Sequence, residues 1–345
     1  MKKDKIVVWG NKSINNIDKF VWKEAVDSGD VIYLPNVFKE NIYYYLYRLL
    51  FNRKSLSLLP FLREVKRKID CSFYYERMIY QMPNDVGLII VSNHSLFKIS
   101  HSYLRLFKIK HNVGIVLYLY DSYNAIAVEV KQAIDDSYKN GLVDIIYSFD
   151  PVDCEKYGFS FCKQVYSPIK LPSLSKQPIA YDIYFAGRDK GRLTLIYDII
   201  DQSKKQNVES FIRMPELLEE QKNRMKELLQ ENYVEDMLSY ENILTEMQKS
   251  NCILEIIQKG QYGISWRAVE ALFYNKKLLT NNVDIVHNEF YDSRYIHIFH
   301  SVDEINFDWV KEVIDVNYKY DNEYSPSKFI DRLRKDFIKY NNEFS

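Results

Sequence analysis

Short apolar runs recur along the chain, separated by polar segments of helical period. In the first half they are IVVW at 6–9, VIYL at 31–34, LIIV at 88–91, GIVLYLY at 114–120 and VDIIY at 143–147. In the second half they are DIYFAG at 182–187, ESFIRM at 209–214, NCILEI at 251–256, KLLT at 277–280 and IHIF at 296–299. These runs lack the in–out alternation of a strand with one wet face, so they are predicted to be strands covered on both faces. Between them apolar residues return every three or four positions, as at Ile14, Ile17, Phe20 and Val21, or Ile126, Val130, Ala133 and Ile134. Helices are likewise predicted over 193–203, 216–231, 241–249 and 266–274. Strand and helix alternating in this way predict the α/β class, with two Rossmann-like, doubly wound domains in tandem.

Charge sharpens the division. The 345 residues carry 47 Lys/Arg and 47 Asp/Glu, a neutral total. Residues 1–175 hold 24 basic against 18 acidic side chains, so the remainder holds 23 against 29, and the halves carry +6 and −6. The stretch SPIKLPSLSKQP at 167–178 has no helical period and reads as the linker. The expected domains are therefore 1–172 and 173–325. A terminal helix follows over 326–345, opened by Ser325 and Pro326 and striped by Phe329, Ile330, Leu333, Phe337 and Ile338. That helix either packs on the first domain or completes the second. Four scattered cysteines (Cys71, Cys154, Cys162, Cys252) without a C-x-x-C fit a reduced chain. No window is long and apolar enough for a membrane span, which predicts a cytoplasmic protein.

The chemistry narrows by elimination. There is no G-x-x-x-x-G-K-[ST], no G-x-G-x-x-G after the first strand, and no H-E-x-x-H or G-x-S-x-G. A D-x-D pair is also missing, so no metal or cofactor is predicted. Two segments stand out instead. In KGQYGISWRAVEALFYNKKLLTNN (259–282), Ser265 is a good N-cap for a helix from Trp266, whose first amides and dipole favour an anion. Arg267 and Glu270, three apart, share a face of that helix, where they either hold a diphosphate and a ribose or form an ordinary surface pair. In YDIYFAGRDKGR (181–192), a strand ends at Gly187 and Arg188, Lys190 and Arg192 follow, placing cations where open α/β sheets bind ligands.

These two segments, FAGRDKGR and QYGISWRAVEALFYNKKLLTNN, resemble the donor half of GT-B glycosyltransferases of the bacterial capsule, O-antigen and lipopolysaccharide type. DIIYSFDPVDCEKYGF (144–159) and YLYDSY (118–123) resemble their first half. The resemblance implies two Rossmann-like domains facing a cleft, with the acceptor bound by the first and a nucleotide-sugar by the second. It places Gly187 and Arg188 on the diphosphate approach, with Tyr240 and Glu241 near the nucleobase. Gln261 and Gly263 would lie under sugar and phosphate, Arg267 on phosphate and Glu270 on ribose. Many retaining members carry E-x7-E here. Here Gln261 and Glu270 are nine apart and the first acid is absent, which leaves retention or inversion open.

With no metal ligands, Arg188, Lys190, Arg267 and the helix amides must offset the leaving group's charge. An inverting enzyme also needs a general base. Asp121, after LYLY, is the first candidate, His94, after IIVSN, the second, and Asp150, after IIYSF, the third. The segment 39–80 carries nine Lys/Arg against four Asp/Glu among many aromatics. It fits an anionic membrane surface holding a lipid-linked or glycan acceptor, an RNA contact, or a plain amphipathic helix pair, and membrane contact is favoured over nucleic acid. The competing reading is a non-catalytic sugar- or partner-binding protein derived from a transferase.

Overall fold

The computed structural model describes residues 4–11, 17–36, 82–96, 101–169, 178–236 and 238–343, with a few positions between 49 and 69. The basic, aromatic segment 39–80 lies outside the described residues apart from those positions. The chain divides into two compact units. One comprises 1–13, 22–148 and 153–162; the other comprises 14–21, 149–152 and 163–345.

Each unit is built on a six-stranded sheet in which every pairing is parallel. The first unit holds β1 (Lys5–Asn11), β2 (Ile32–Asn36), β3 (Val86–Ser92), β4 (Gly114–Tyr118), β5 (Ile145–Ser148) and β6 (Ser160–Phe161). Their order is β2-β1-β3-β4-β5-β6. The second holds β7 (Tyr181–Ala186), β8 (Ser210–Arg213), β9 (Tyr233–Val234), β10 (Ser250–Glu255), β11 (Lys277–Thr280) and β12 (Ile296–Ile298). Their order is β12-β11-β10-β7-β8-β9. The ten predicted strands are present, and every residue of β4, β5, β8, β10 and β11 is buried. The two-residue edge strands β6 and β9 were not predicted; they are too short to carry a period.

Strand order reverses between β1 and β3 and again between β7 and β10. At such a switch point the connections leave in opposite directions, and a crevice opens beyond the strand C-termini. Residues there are set by the sheet rather than by free loops.

The seam between units lies at Cys162 and Lys163, ahead of the expected 172/173 boundary. The cause is burial. Tyr166 and Ile169 join a core cluster with Tyr240, Leu244, Ala268 and Leu272. The Tyr166 amide donates to the Tyr324 carbonyl, and the Trp266 indole N–H to the Val165 carbonyl. The terminal helix runs Pro326–Glu343 in the second unit, with Phe329, Ile330 and Leu333 buried.

One buried carboxylate organises the loop after β4. Asp153 accepts from the Tyr123 amide at 2.6 Å, Ser148 Oγ at 2.9 Å, Asn124 Nδ2 at 2.9 Å and the Asn124 amide at 3.2 Å. Burial of a carboxylate is tolerable only with this many donors. Asp153→Ala strands them and is expected to cost about 3 kcal/mol of stability. Urea unfolding checks this; an unchanged midpoint would show that the 122–124 loop holds itself.

Candidate active site

The second unit's switch point brings the two sequence segments together. Ser265 caps the helix Trp266–Phe273, its Oγ accepting from the amides of Arg267 at 3.0 Å and Ala268 at 3.4 Å. Arg267 extends from the first turn and donates through Nη2 to the Ala186 carbonyl, 3.0 Å away, at the end of β7. Gly187 follows at once, its amide donating to the Arg213 carbonyl of β8 at 3.0 Å. The helix start and the β7 turn are thus neighbours, as a shared anion site requires.

The turn 187–192 is rigidly built. Asp189 Oδ1 accepts from the amides of Arg192 and Leu193, both at 2.9 Å, and so starts the helix Leu193–Lys205. Lys190 and Gly191 adopt positive φ of 47° and 82° to close the turn. Arg192 donates to the carbonyls of Arg188, Asp189 and Ile256, clamping this turn to the end of β10. Its guanidinium is spent on backbone. Arg188 differs: it is half-exposed and pairs with Glu216 at 3.2 Å.

The loop 257–264 is pinned from several sides. Asn281 Oδ1 accepts the Ile257 amide at 2.8 Å, and Asn282 Nδ2 donates to the Gly263 carbonyl at 3.3 Å. Asp150 Oδ2 accepts the Tyr262 amide at 2.8 Å, while Asp150 Oδ1 accepts the Val152 amide at 3.0 Å. Gly263 sits so close to Phe149 that a Cβ would lie 2.6 Å from its carbonyl oxygen. Gln261 is buried and Tyr262 is exposed.

Two assigned residues lie beneath this surface rather than on it. Glu270 is 1% exposed. Its carboxylate pairs with Arg267 through one oxygen and accepts the Tyr240 hydroxyl at 2.5 Å through the other. Tyr240 is buried too, 2.8 Å from the Tyr166 hydroxyl, which lies 3.3 Å from that of Tyr274. With both oxygens engaged below the surface, Glu270 acts on Arg267 and not as an open ribose acceptor. Tyr240 likewise offers no face to a base. Burial pushes the Glu270 carboxyl up, against the pull of Arg267, and pushes the phenols of Tyr240 and Tyr166 well above their ordinary range.

A further residue was not anticipated. Glu255, the last residue of β10, is 2% exposed and accepts from Ser265 Oγ and, at 2.5 Å, from Thr280 Oγ1. Burial pushes its carboxyl up as well. It sits inside an apolar run, where the strand pattern masks it.

In the first unit, His94 and Asp121 follow the C-termini of β3 and β4. His94 Nε2 lies 3.4 Å from Asp121 Oδ2, with the His94 side chain 52% exposed and Asp121 21%. The two leading base candidates thus form one pair. Asp150, the third, is fully buried and occupied by two amides, which removes it as a base. Among the described residues no helix is long and apolar enough to cross a membrane.

No protein-family model matches the chain, and no curated protein matches it. Solved structures do. An α-glucosyltransferase in complex with UDP and a 13-mer DNA shares 13% identity over 97% of this chain and 99% of its own, with TM-score 0.58. Anabaena HepE in complex with UDP and glucose shares 10% over 87% of each chain, with TM-score 0.54. A UDP-N-acetylglucosamine 2-epimerase from Rickettsia bellii shares 12% over 99% of this chain and 96% of its own, with TM-score 0.52. Identities this low speak to fold alone: two Rossmann-like units of the GT-B type.

The loop's close packing gives a direct check. Gly263→Ala must push the loop off the Phe149 backbone, because the clash is with main chain and not a flexible tip. It is expected to lower the melting temperature by several degrees, at about 1–3 kcal/mol for overpacking. Unaltered melting in a thermal scan would mean that the contact is loose.

Proposed function

We propose that the protein is a glycosyltransferase that holds a nucleotide-sugar at the β7/β10 switch point of the second unit. The observation that carries this reading is the Arg267 contact with the Ala186 carbonyl beside the Ser265-capped helix start. It sets a guanidinium and the positive end of a helix dipole at one strand-end crevice, an arrangement that suits a diphosphate. UDP in the complexes of similarly folded transferases supports a uridine nucleotide as the first probe.

Departure of a nucleoside diphosphate concentrates negative charge on its β-phosphate. Arg267 and the capped helix, with its dipole, are fixed before the reaction, so they stabilise that charge without reorganising. Arg188 and Lys190, from the β7 turn, add positive potential at the rim, and Gly187 lets the diphosphate approach the backbone. Gln261 and Gly263 shape the loop under the sugar. On the acceptor side, His94 takes the proton of the attacking hydroxyl, and Asp121, 3.4 Å away, orients the ring. This reverses the order in which the sequence ranked them: the histidine is the more open of the two, and the carboxylate stands behind it. The acceptor is proposed to be a glycan or lipid-linked glycan of a bacterial surface polysaccharide, on the resemblance of the sequence segments.

Binding and turnover separate the roles. UDP, GDP and CMP are offered in a thermal-shift assay, and one of them is expected to stabilise the protein. Arg267→Ala should weaken that nucleotide by about 2 kcal/mol, roughly 30-fold. His94→Ala should leave nucleotide affinity unchanged and lower transfer by about two orders of magnitude or more. If no nucleotide shifts the melting curve, the donor-site reading fails. Nucleotide binding without sugar transfer to any acceptor would instead favour a binding protein, and inversion at the sugar's C2 an epimerase.

A further inference from the structure

Glu255 has a setting that structural packing alone does not explain. Its carboxyl ends β10 directly behind the helix cap: Ser265 Oγ accepts the first helix amides and donates to Glu255. The second oxygen accepts from Thr280 Oγ1 on β11, itself fixed by accepting the Asn282 amide at 2.9 Å. Both donors are neutral hydroxyls. The charged groups whose fields reach it are Arg267, on the capped helix, and Arg192, at the start of the Leu193–Lys205 helix. Neither forms an ion pair with it: Arg267 pairs with Glu270, and Arg192 is bound to three carbonyls. A buried carboxylate without its own cation is poorly solvated, and a second anion brought nearby disfavours its charge further.

We propose that Glu255 is the proton-linked counter-group of the donor site, taking up a proton from solvent as a nucleoside diphosphate settles against the Ser265 helix start, so that pH regulates affinity. The inference rests on the donor-site reading. Partly exposed Ser265, hydrogen-bonded to the carboxyl, gives the proton a route. Burial already pushes Glu255 up in the free protein, the direction that eases protonation. The sign follows. The bound state holds more protons than the free state, so affinity falls as pH rises through the free carboxyl's titration and levels off above that of the bound one. The slope approaches, at its steepest, about tenfold per pH unit.

The test uses UDP with the full chain, titrated calorimetrically at a series of pH values on either side of neutrality. Comparison of the unaltered protein with Glu255→Gln subtracts the ligand's own ionisation. The unaltered protein is expected to lose UDP affinity with rising pH more steeply than Glu255→Gln. Its binding enthalpy should also depend on the buffer's ionisation enthalpy, as proton uptake demands, and that measurement needs no variant to fold. Equal pH slopes, or a proton inventory fully accounted for by UDP, would overturn this role while leaving the donor site standing. If UDP, GDP and CMP all fail to bind the unaltered protein, the donor site falls, and this inference with it.

Discussion

The guanidinium of Arg267 joins its own helix to a strand that the sequence keeps far away. It meets Glu270 one turn along its own helix and the last carbonyl of β7, 81 residues earlier. A partly covered guanidinium demands acceptors along its edges, and a strand-end carbonyl left without a ladder partner demands a donor. Each requirement meets the other. The helix start is thereby fixed against the end of β7, where the order β11-β10-β7-β8 opens the crevice. Without that contact, the Ser265 cap and the Gly187 turn would be two unrelated local features.

The electrostatics of the crevice are layered. Arg188 lies exposed at the rim, Arg267 is partly covered, and the carboxylates of Glu270 and Glu255 lie buried beneath. Opposite charges deep in a protein act more strongly than the same charges at its surface, so the inner pair sets geometry and the outer cations set attraction. Glu270 neutralises much of the Arg267 charge. What remains available to an anion is direction, in the form of guanidinium and amide N–H groups, more than net charge. The raised phenols of Tyr240 and Tyr166 extend this support as neutral groups, tying the helix to the 165–169 segment without adding charge.

Legibility followed periodicity. Buried parallel strands were readable because continuous apolar runs have one physical cause, burial on both faces. The Ser265 cap was readable from its place before the helix; past the helix end Asn275 adopts a φ of 49°, a conformation asparagine tolerates. Burial of polar residues was not readable. An Arg and a Glu three apart look the same whether the pair faces solvent or core, so Glu270 was misassigned to the surface. Glu255 vanished into an apolar run, and Asp153 into a helix that it serves only in passing. Arg188 and Arg192 looked alike in one basic turn. Only the structure shows that Arg192 is spent on carbonyls while Arg188 reaches outward to Glu216.

The opposite charges of the two halves carry a further lesson. The half with net charge −6 holds the proposed donor site, so its total charge would work against a nucleotide at long range. Salt screens such repulsion beyond about 8–10 Å, whereas a guanidinium such as that of Arg267 acts at hydrogen-bond distance. A handful of oriented donors therefore outweighs a diffuse excess of acid. His94 and Asp121, in the half with net charge +6, likewise lie 3.4 Å apart just past the ends of adjacent strands. In both units the candidate residues gather at the ends of adjacent parallel strands, and the overall charge of a half does not show where they lie.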